Sequence, residues 1–262
     1  MKSFFIDYDE KKIQEAEYAL KENIINTNNI DLKEADRPTF LIKQLNDITF
    51  DASRQQISLN TLKKAHSLAK LMGVNEWVEA IFNGEIVNKT EGKPALHAAL
   101  RTTRFKLFSS NITKEVMEQR NKLFSFAEKI RKGELLSSNG KPYSSVIAIG
   151  IGGSDLGPRM AVKALSPFAD GPEIRFVSNI DPAELKYATK NLNPSTTLLI
   201  VSSKTFKTIE TLSNASAALN WMSKEIGEES AKKQRIAITS KVENAIEADF
   251  KKEQILYFSD WV

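Results

Sequence analysis

The chain has 262 residues, 41% of them apolar, and 37 basic side chains against 33 acidic ones give a formal net charge of +4. Such a length can bury a sizeable core and lies near the upper limit for one domain, so two units are expected. The absence of cysteine excludes disulfides, thiolate metal sites and a cysteine nucleophile, and the two histidines, His66 and His97, leave little for an imidazole-rich metal centre.

In chain order, Phe4 and Phe5 are followed at once by Asp7, Asp9 and Glu10, so the start lacks the apolar core of a signal peptide. No later apolar run is long enough to span a bilayer, and the expected location is the cytoplasm, with no membrane partner. Helical periodicity covers 11–23, then 59–72 with Leu62, Ala65, Ala69 and Met72 recurring, and 75–82, while Arg37-Pro38 interrupts the series. A long amphipathic helix is expected over 113–131, carrying Val116, Leu123, Phe124, Ala127 and Ile130, and ended by Gly133 and Gly140. From there apolar strands at 146–149, 174–177, 197–201, 235–238 and 255–258 alternate with helices near 156–165, 182–190, 205–224 and 242–249. That alternation predicts an α/β fold, a three-layer sandwich around a five-stranded parallel sheet, over residues 111–262, preceded by a helical segment over 1–110. Basic clusters at 232–235 and 251–252 stand near acidic residues and read as solvated helix faces. Most phenylalanines fall in apolar-periodic segments, so nucleic-acid binding is not expected.

Two strand-to-helix loops carry the chemistry. In VIAIGIGGSDLGPR (146–159), Gly150, Gly152 and Gly153 bare main-chain N–H groups to an anion, Ser154 adds a hydroxyl at the helix mouth, and Gly157-Pro158 fits a helix start. In SSKTFKT (202–208), hydroxyls and the Lys204 ammonium lead into a helix with Phe206, Ile209, Leu212 and Leu219 on one stripe. Parallel strands place both loops on one sheet edge, where they can converge on a single phosphate monoester. Taken singly, Ser203 or Thr205 reads equally well as a helix cap; the joint occurrence with the glycine loop weighs against that reading.

The segments IGIGGSDLGP and SSKTFKTIET, with NKTEGKPALHAALR at 88–101, resemble the glucose-6-phosphate isomerase family of the wider sugar isomerase (SIS) fold, flavodoxin-like in layout. The resemblance runs from about residue 40 to the C-terminus; Lys93 stands where the family usually has arginine, and Lys207 where it commonly has threonine. It implies interconversion of glucose 6-phosphate and fructose 6-phosphate by ring opening and proton transfer through a cis-enediol, with no metal or organic cofactor and a homodimeric full-length protein. It also implies that Ser203, Lys204, Thr205 and Thr208 hold the phosphate, while Gly153 and Ser154 contact the sugar end. Asp260-Trp261-Val262 is similar to the family's stretch just before a Gly-Gly-Arg segment. By the resemblance, the proton-transferring glutamate, the histidine and lysine that assist ring opening, and an arginine near the reacting carbon lie beyond Val262, so this chain is expected not to turn over alone.

Other candidates have plainer readings. His97 reads as a packed, hydrogen-bonded core histidine, Asp155 as a helix cap in place of a general base, and Glu210 either orients Lys204 or is a solvated helix acid. Gly150, Gly152 and Gly157 with Asp181 loosely imitate an NAD fingerprint, but Asp155 occupies the last glycine position. An NAD-binding oxidoreductase and a non-catalytic SIS-type sugar-phosphate sensor are the alternatives.

Overall fold

A computed structural model describes residues 4–26, 30–33, 36–101 and 110–261, and the chain divides into two units, Met1–Ala98 and Ala99–Val262. The boundary expected at 110 borders 102–109, which lie outside the described residues. In the first unit α1 (Glu10–Asn26) is followed by α2 (Arg37–Leu41), a hairpin of β1 (Ile42–Leu45) and β2 (Ile48–Asp51), α3 (Leu59–Leu71) and α4 (Val74–Phe82). Arg37-Pro38 does not merely interrupt helices, as the sequence suggested, but opens the single turn of α2. Buried Arg37 donates to the carbonyls of Ser53 (2.9 Å), Gln55 (2.6 Å) and Ile57 (3.0 Å), fastening the stretch between β2 and α3. The polar stretch at 88–93 is a tight turn closed by paired main-chain bonds between Asn88 and Lys93 (3.0 and 3.1 Å). His97 begins a 3₁₀ turn and is exposed, so its reading as a packed core histidine is corrected.

The second unit opens with α5 (Ser110–Arg131) and continues β3 (Ser145–Ile149), α6 (Gly153–Ala164), β4 (Glu173–Val177), α7 (Pro182–Thr189), β5 (Thr197–Ser202), α8 (Ile209–Ile226), α9 (Glu228–Lys233), β6 (Arg235–Thr239), α10 (Val242–Glu247) and β7 (Ile255–Tyr257). The five strands are parallel in the order β4-β3-β5-β6-β7, the flavodoxin-like arrangement. Because successive side chains alternate faces, Ile147, Ile149, Leu199, Val201 and Ala237 meet Ala188 of α7, Ala218 and Met222 of α8 and Ala245 of α10. Val146, Leu198, Ile236 and Leu256 turn the other way, onto Leu123, Phe126 and Ile130 of α5. From β3 the chain goes through α6 to β4 on one side, then returns through α7 to β5 on the other. The carboxyl ends of β3 and β5 therefore flank the point where the winding reverses, the place in such sheets where a crevice opens.

Two helix starts differ from expectation, and both matter there. α6 begins at Gly153, ahead of the expected 156, which puts Pro158 inside the helix. α8 begins at Ile209 rather than 205, leaving 202–208 as a true loop. α9 was not anticipated; Gly227, at φ 77 and ψ 154, breaks the helical run before it. Among the described residues no helix is long and apolar enough to cross a membrane.

Candidate functional site: an anion cleft at the sheet's switch point

The first wall of the cleft is the β3–α6 loop. A Cβ on Gly150 would lie 2.8 Å from Ser154 Cβ and 3.0 Å from the Ser154 carbonyl oxygen, so glycine alone lets the first turn of α6 fold back against the strand end. Gly152 is the N-cap at φ 61 and ψ −121, a conformation L side chains rarely adopt. Around Gly152 and Gly153 the space within 4 Å of a would-be Cβ is open, and no side chain caps the helix. The start of α6 thus presents the Gly153 N–H and the positive end of its dipole to whatever enters, the N–H groups of Ser154 and Asp155 being turned to the carbonyls of Ile151 (3.3 Å) and Gly152 (3.0 Å).

The second wall is the β5–α8 loop, built without glycine. Ser203 N donates to the Ile238 carbonyl (3.1 Å), which ties the loop to β6. Buried Ser203 Oγ accepts from Phe206 N (3.1 Å) and lies 3.2 Å from Thr208 Oγ1, while Thr205 Oγ1 accepts from Lys207 N (3.3 Å). Phe206 takes φ 53, the left-handed region that bulky residues avoid. Its ring is 2% exposed and meets Phe250 edge-on at 5.4 Å, which holds the residue there. Thr208 stands at the N-cap of α8 without a side-chain capping bond, its hydroxyl being close to Ser203 instead. The Lys204 carbonyl accepts from β6 residues Thr239 Oγ1 (3.1 Å) and, just beyond the strand, Ser240 Oγ (2.9 Å). Since carbonyl and N–H of a trans peptide point oppositely, this turns Thr205 N–H away from β6 and toward β3, across the cleft.

The resulting cleft has a volume of about 610 Å³ and brings together Gly153, Ser154, Ser203, Lys204, Thr205 and Thr208, all six residues singled out from the sequence. Thr211 and Ser202 add hydroxyls, and Ile151, Pro158, Ile238 and Phe258 supply apolar wall. Thr211 was missed although it stands inside the SSKTFKTIET motif, one turn beyond Thr208 on α8. Lys204 is the single ionisable side chain among these lining residues; there is neither a carboxylate nor an imidazole. Two uncapped helix N-termini, several hydroxyls and one ammonium can bind an anion but contain no group placed to take a proton from carbon.

Comparison with known proteins identifies the family. The family described as phosphoglucose isomerase matches residues 51–262. The chain belongs to the phosphoglucose isomerase family. It is 36% identical over 262 residues to a glucose-6-phosphate isomerase of Bartonella bacilliformis, covering 97% of this chain and 48% of the relative. Against the glucose-6-phosphate isomerase of Beijerinckia indica the identity is 40% over 223 residues, covering 84% and 41%. A solved glucose-6-phosphate isomerase from Chlamydia trachomatis shares the fold with a TM-score of 0.76 at 22% identity, over 95% of this chain and 48% of that one. The chain spans under half the length of these relatives.

Within this chain, the remaining candidates sit outside the cleft lining. Asp155 is neither base nor cap: it is buried and its carboxylate receives Arg159 Nε (2.9 and 3.1 Å), whose guanidinium also donates to Ser178 Oγ (3.0 Å). The Asp155 carboxylate in turn raises the Arg159 pKa. Glu184 takes the main-chain N–H groups of Ser178 (2.9 Å) and Asn179 (2.6 Å), and Asn214 of α8 donates to the Asn179 carbonyl (2.7 Å). This network braces α6, α8 and the β4–α7 loop behind the cleft. Asp181, the acid that would hold a ribose in an NAD site, accepts from Ala183 N (2.8 Å) as the N-cap of α7. Glu210 is exposed in the first turn of α8, where a carboxylate is favourable to the dipole.

Proposed function

We propose that the cleft binds the phosphate of a hexose 6-phosphate and that this chain is the phosphate-holding part of an enzyme interconverting glucose 6-phosphate and fructose 6-phosphate. The observation that carries the reading is the meeting of two uncapped helix N-termini, α6 and α8, over a hydroxyl-lined cleft at the switch point. Ser203 and Thr208 hydroxyls, Thr205 N–H and the Lys204 ammonium hold the phosphate, and Gly153 and Ser154 contact the sugar end. Anchoring the unreactive phosphate supplies binding energy that orients the reacting carbons. Ring opening and enediol formation need an acid and a base that the cleft lining does not contain. The resemblance assigns that work to a glutamate, a histidine and a lysine outside the cleft lining, which on this reading serves binding. The same resemblance carries the proposals of an SIS-type fold, a homodimeric full-length protein and no cofactor, while the charge and hydropathy pattern of the sequence carries those of a cytoplasmic setting and no membrane or nucleic-acid partner.

Calorimetric titration of the chain with fructose 6-phosphate, with NAD as control ligand, tests the reading. Expected are binding of the sugar phosphate, weakening of it in Lys204→Ala, and no heat from NAD. Binding of NAD alone would replace the isomerase reading by the oxidoreductase one. Turnover by a longer polypeptide containing these residues separates an isomerase from a non-catalytic sugar-phosphate sensor.

A further inference from the structure

The two motif loops line the cleft, but neither explains what holds the second of them in place. The Lys204 carbonyl accepts three donors: Ser240 N (3.2 Å), Ser240 Oγ (2.9 Å) and Thr239 Oγ1 (3.1 Å). The next carbonyl, that of Thr205, accepts from Asn244 Nδ2 at 2.7 Å. All four donors come from the end of β6 and the first turn of α10, and the side-chain donors stand 35 to 39 residues downstream of the carbonyls they hold. Thr239 Oγ1 is itself oriented, accepting from Lys241 N (3.1 Å).

We propose that the β6–α10 connection is a clamp that holds the β5–α8 loop ready to receive a phosphate, with Asn244 as its positioning residue. The inference rests on the reading of the cleft as a phosphate site. A carbonyl swung into the cleft would set its negative end against the anion. Fixing the Lys204 and Thr205 carbonyls toward β6 and α10 removes that opposition; through its own trans peptide the Lys204 carbonyl also aims Thr205 N–H inward, and the Thr205 carbonyl's peptide directs Phe206 N–H at Ser203 Oγ (3.1 Å). A loop that first had to reorganise would bind more weakly, in proportion to the fraction of time spent in the competent form. Asn244 lies outside the cleft lining and meets the second motif at the Thr205 carbonyl, so its effect on binding passes through that contact.

The test compares wild type with Asn244→Asp, which keeps the side chain's shape but replaces the donor by an acceptor, and with Ser240→Ala. Two readouts are needed: ¹⁵N amide spectra of the free chains, and titration with inorganic phosphate and fructose 6-phosphate. For Asn244→Asp the account expects displaced amide signals over 203–208, unchanged signals in β3 and α5, and a Kd about tenfold higher, the worth of one hydrogen bond. Ser240→Ala, which retains the main-chain donor, shifts both readouts in the same direction by less and serves as the test if Asn244→Asp does not fold. Unmoved loop amides, or an unchanged Kd with displaced amides, overturn the clamp. If wild type binds neither phosphate nor fructose 6-phosphate, the functional reading falls by itself, and the amide spectra of the free chains still decide whether Asn244 positions the loop.

Discussion

Between β3 and α6 the chain turns on Gly150 and Gly152 and leaves its backbone open, whereas between β5 and α8 it uses no glycine and drives Phe206 to φ 53 instead. Both loops deliver an uncapped helix N-terminus to one cleft. The first does so with residues that have little to pack, so its shape is local. The second is shaped from outside itself, by the Phe206 ring in the core, by Ser203 folding back on Phe206 N, and by donors from β6 and α10 on its carbonyls. A turn lacking the conformational freedom of glycine has to be held by packing and hydrogen bonds, and here it carries the chemistry of hydroxyls and an ammonium that glycine cannot offer.

Mutations separate the two constructions. Phe206→Ala removes the anchor of the second loop and should lower stability by about 3–5 kcal/mol in urea denaturation; a loss far smaller would mean the loop is shaped locally after all. Gly150→Ala sets a Cβ 2.8 Å from Ser154 Cβ and against main chain, and about 2–3 kcal/mol is expected from such overpacking, read by the same denaturation. Ser203→Ala leaves buried Phe206 N without its acceptor, costing about 1–2 kcal/mol together with a measurable rise in the Kd for fructose 6-phosphate. Gly153→Ala has open space around it and no positive φ, so thermal melting should stay within about 1 kcal/mol of wild type, on the stabilising side. Its affinity for fructose 6-phosphate should nevertheless fall, because the new methyl group occupies the approach to the amides.

This contrast also decides what could be read from the sequence. The five parallel strands were legible because strands buried on both faces leave continuous apolar, β-branched runs such as 146–149 and 197–201. The glycine loop was legible because its function is written in its own residues. The start of α8 was misplaced because Phe206 falls in register with Ile209, Leu212 and Leu219, yet it reaches the core from a left-handed residue outside the helix. Pro158 misled for a related reason: a proline signals a helix start, but here it sits one turn inside a helix begun by Gly153. The β1–β2 hairpin went unseen because its side chains are mostly exposed and leave no buried stripe, although Asn46-Asp47 between two short runs, with Asn46 at φ 50, was a usable turn signal. Asn244 carried no signal at all, since its partner carbonyl is 39 residues away.

The most direct measurement is a crystal structure of the chain with 6-phosphogluconate bound. The account predicts the phosphate between the starts of α6 and α8, hydrogen-bonded to Ser203 Oγ, Thr208 Oγ1 and Thr205 N, with the Lys204 and Thr205 carbonyls still held by Ser240 and Asn244. A phosphate bound elsewhere, or held in the cleft by a loop whose carbonyls have left the β6–α10 connection, would contradict it.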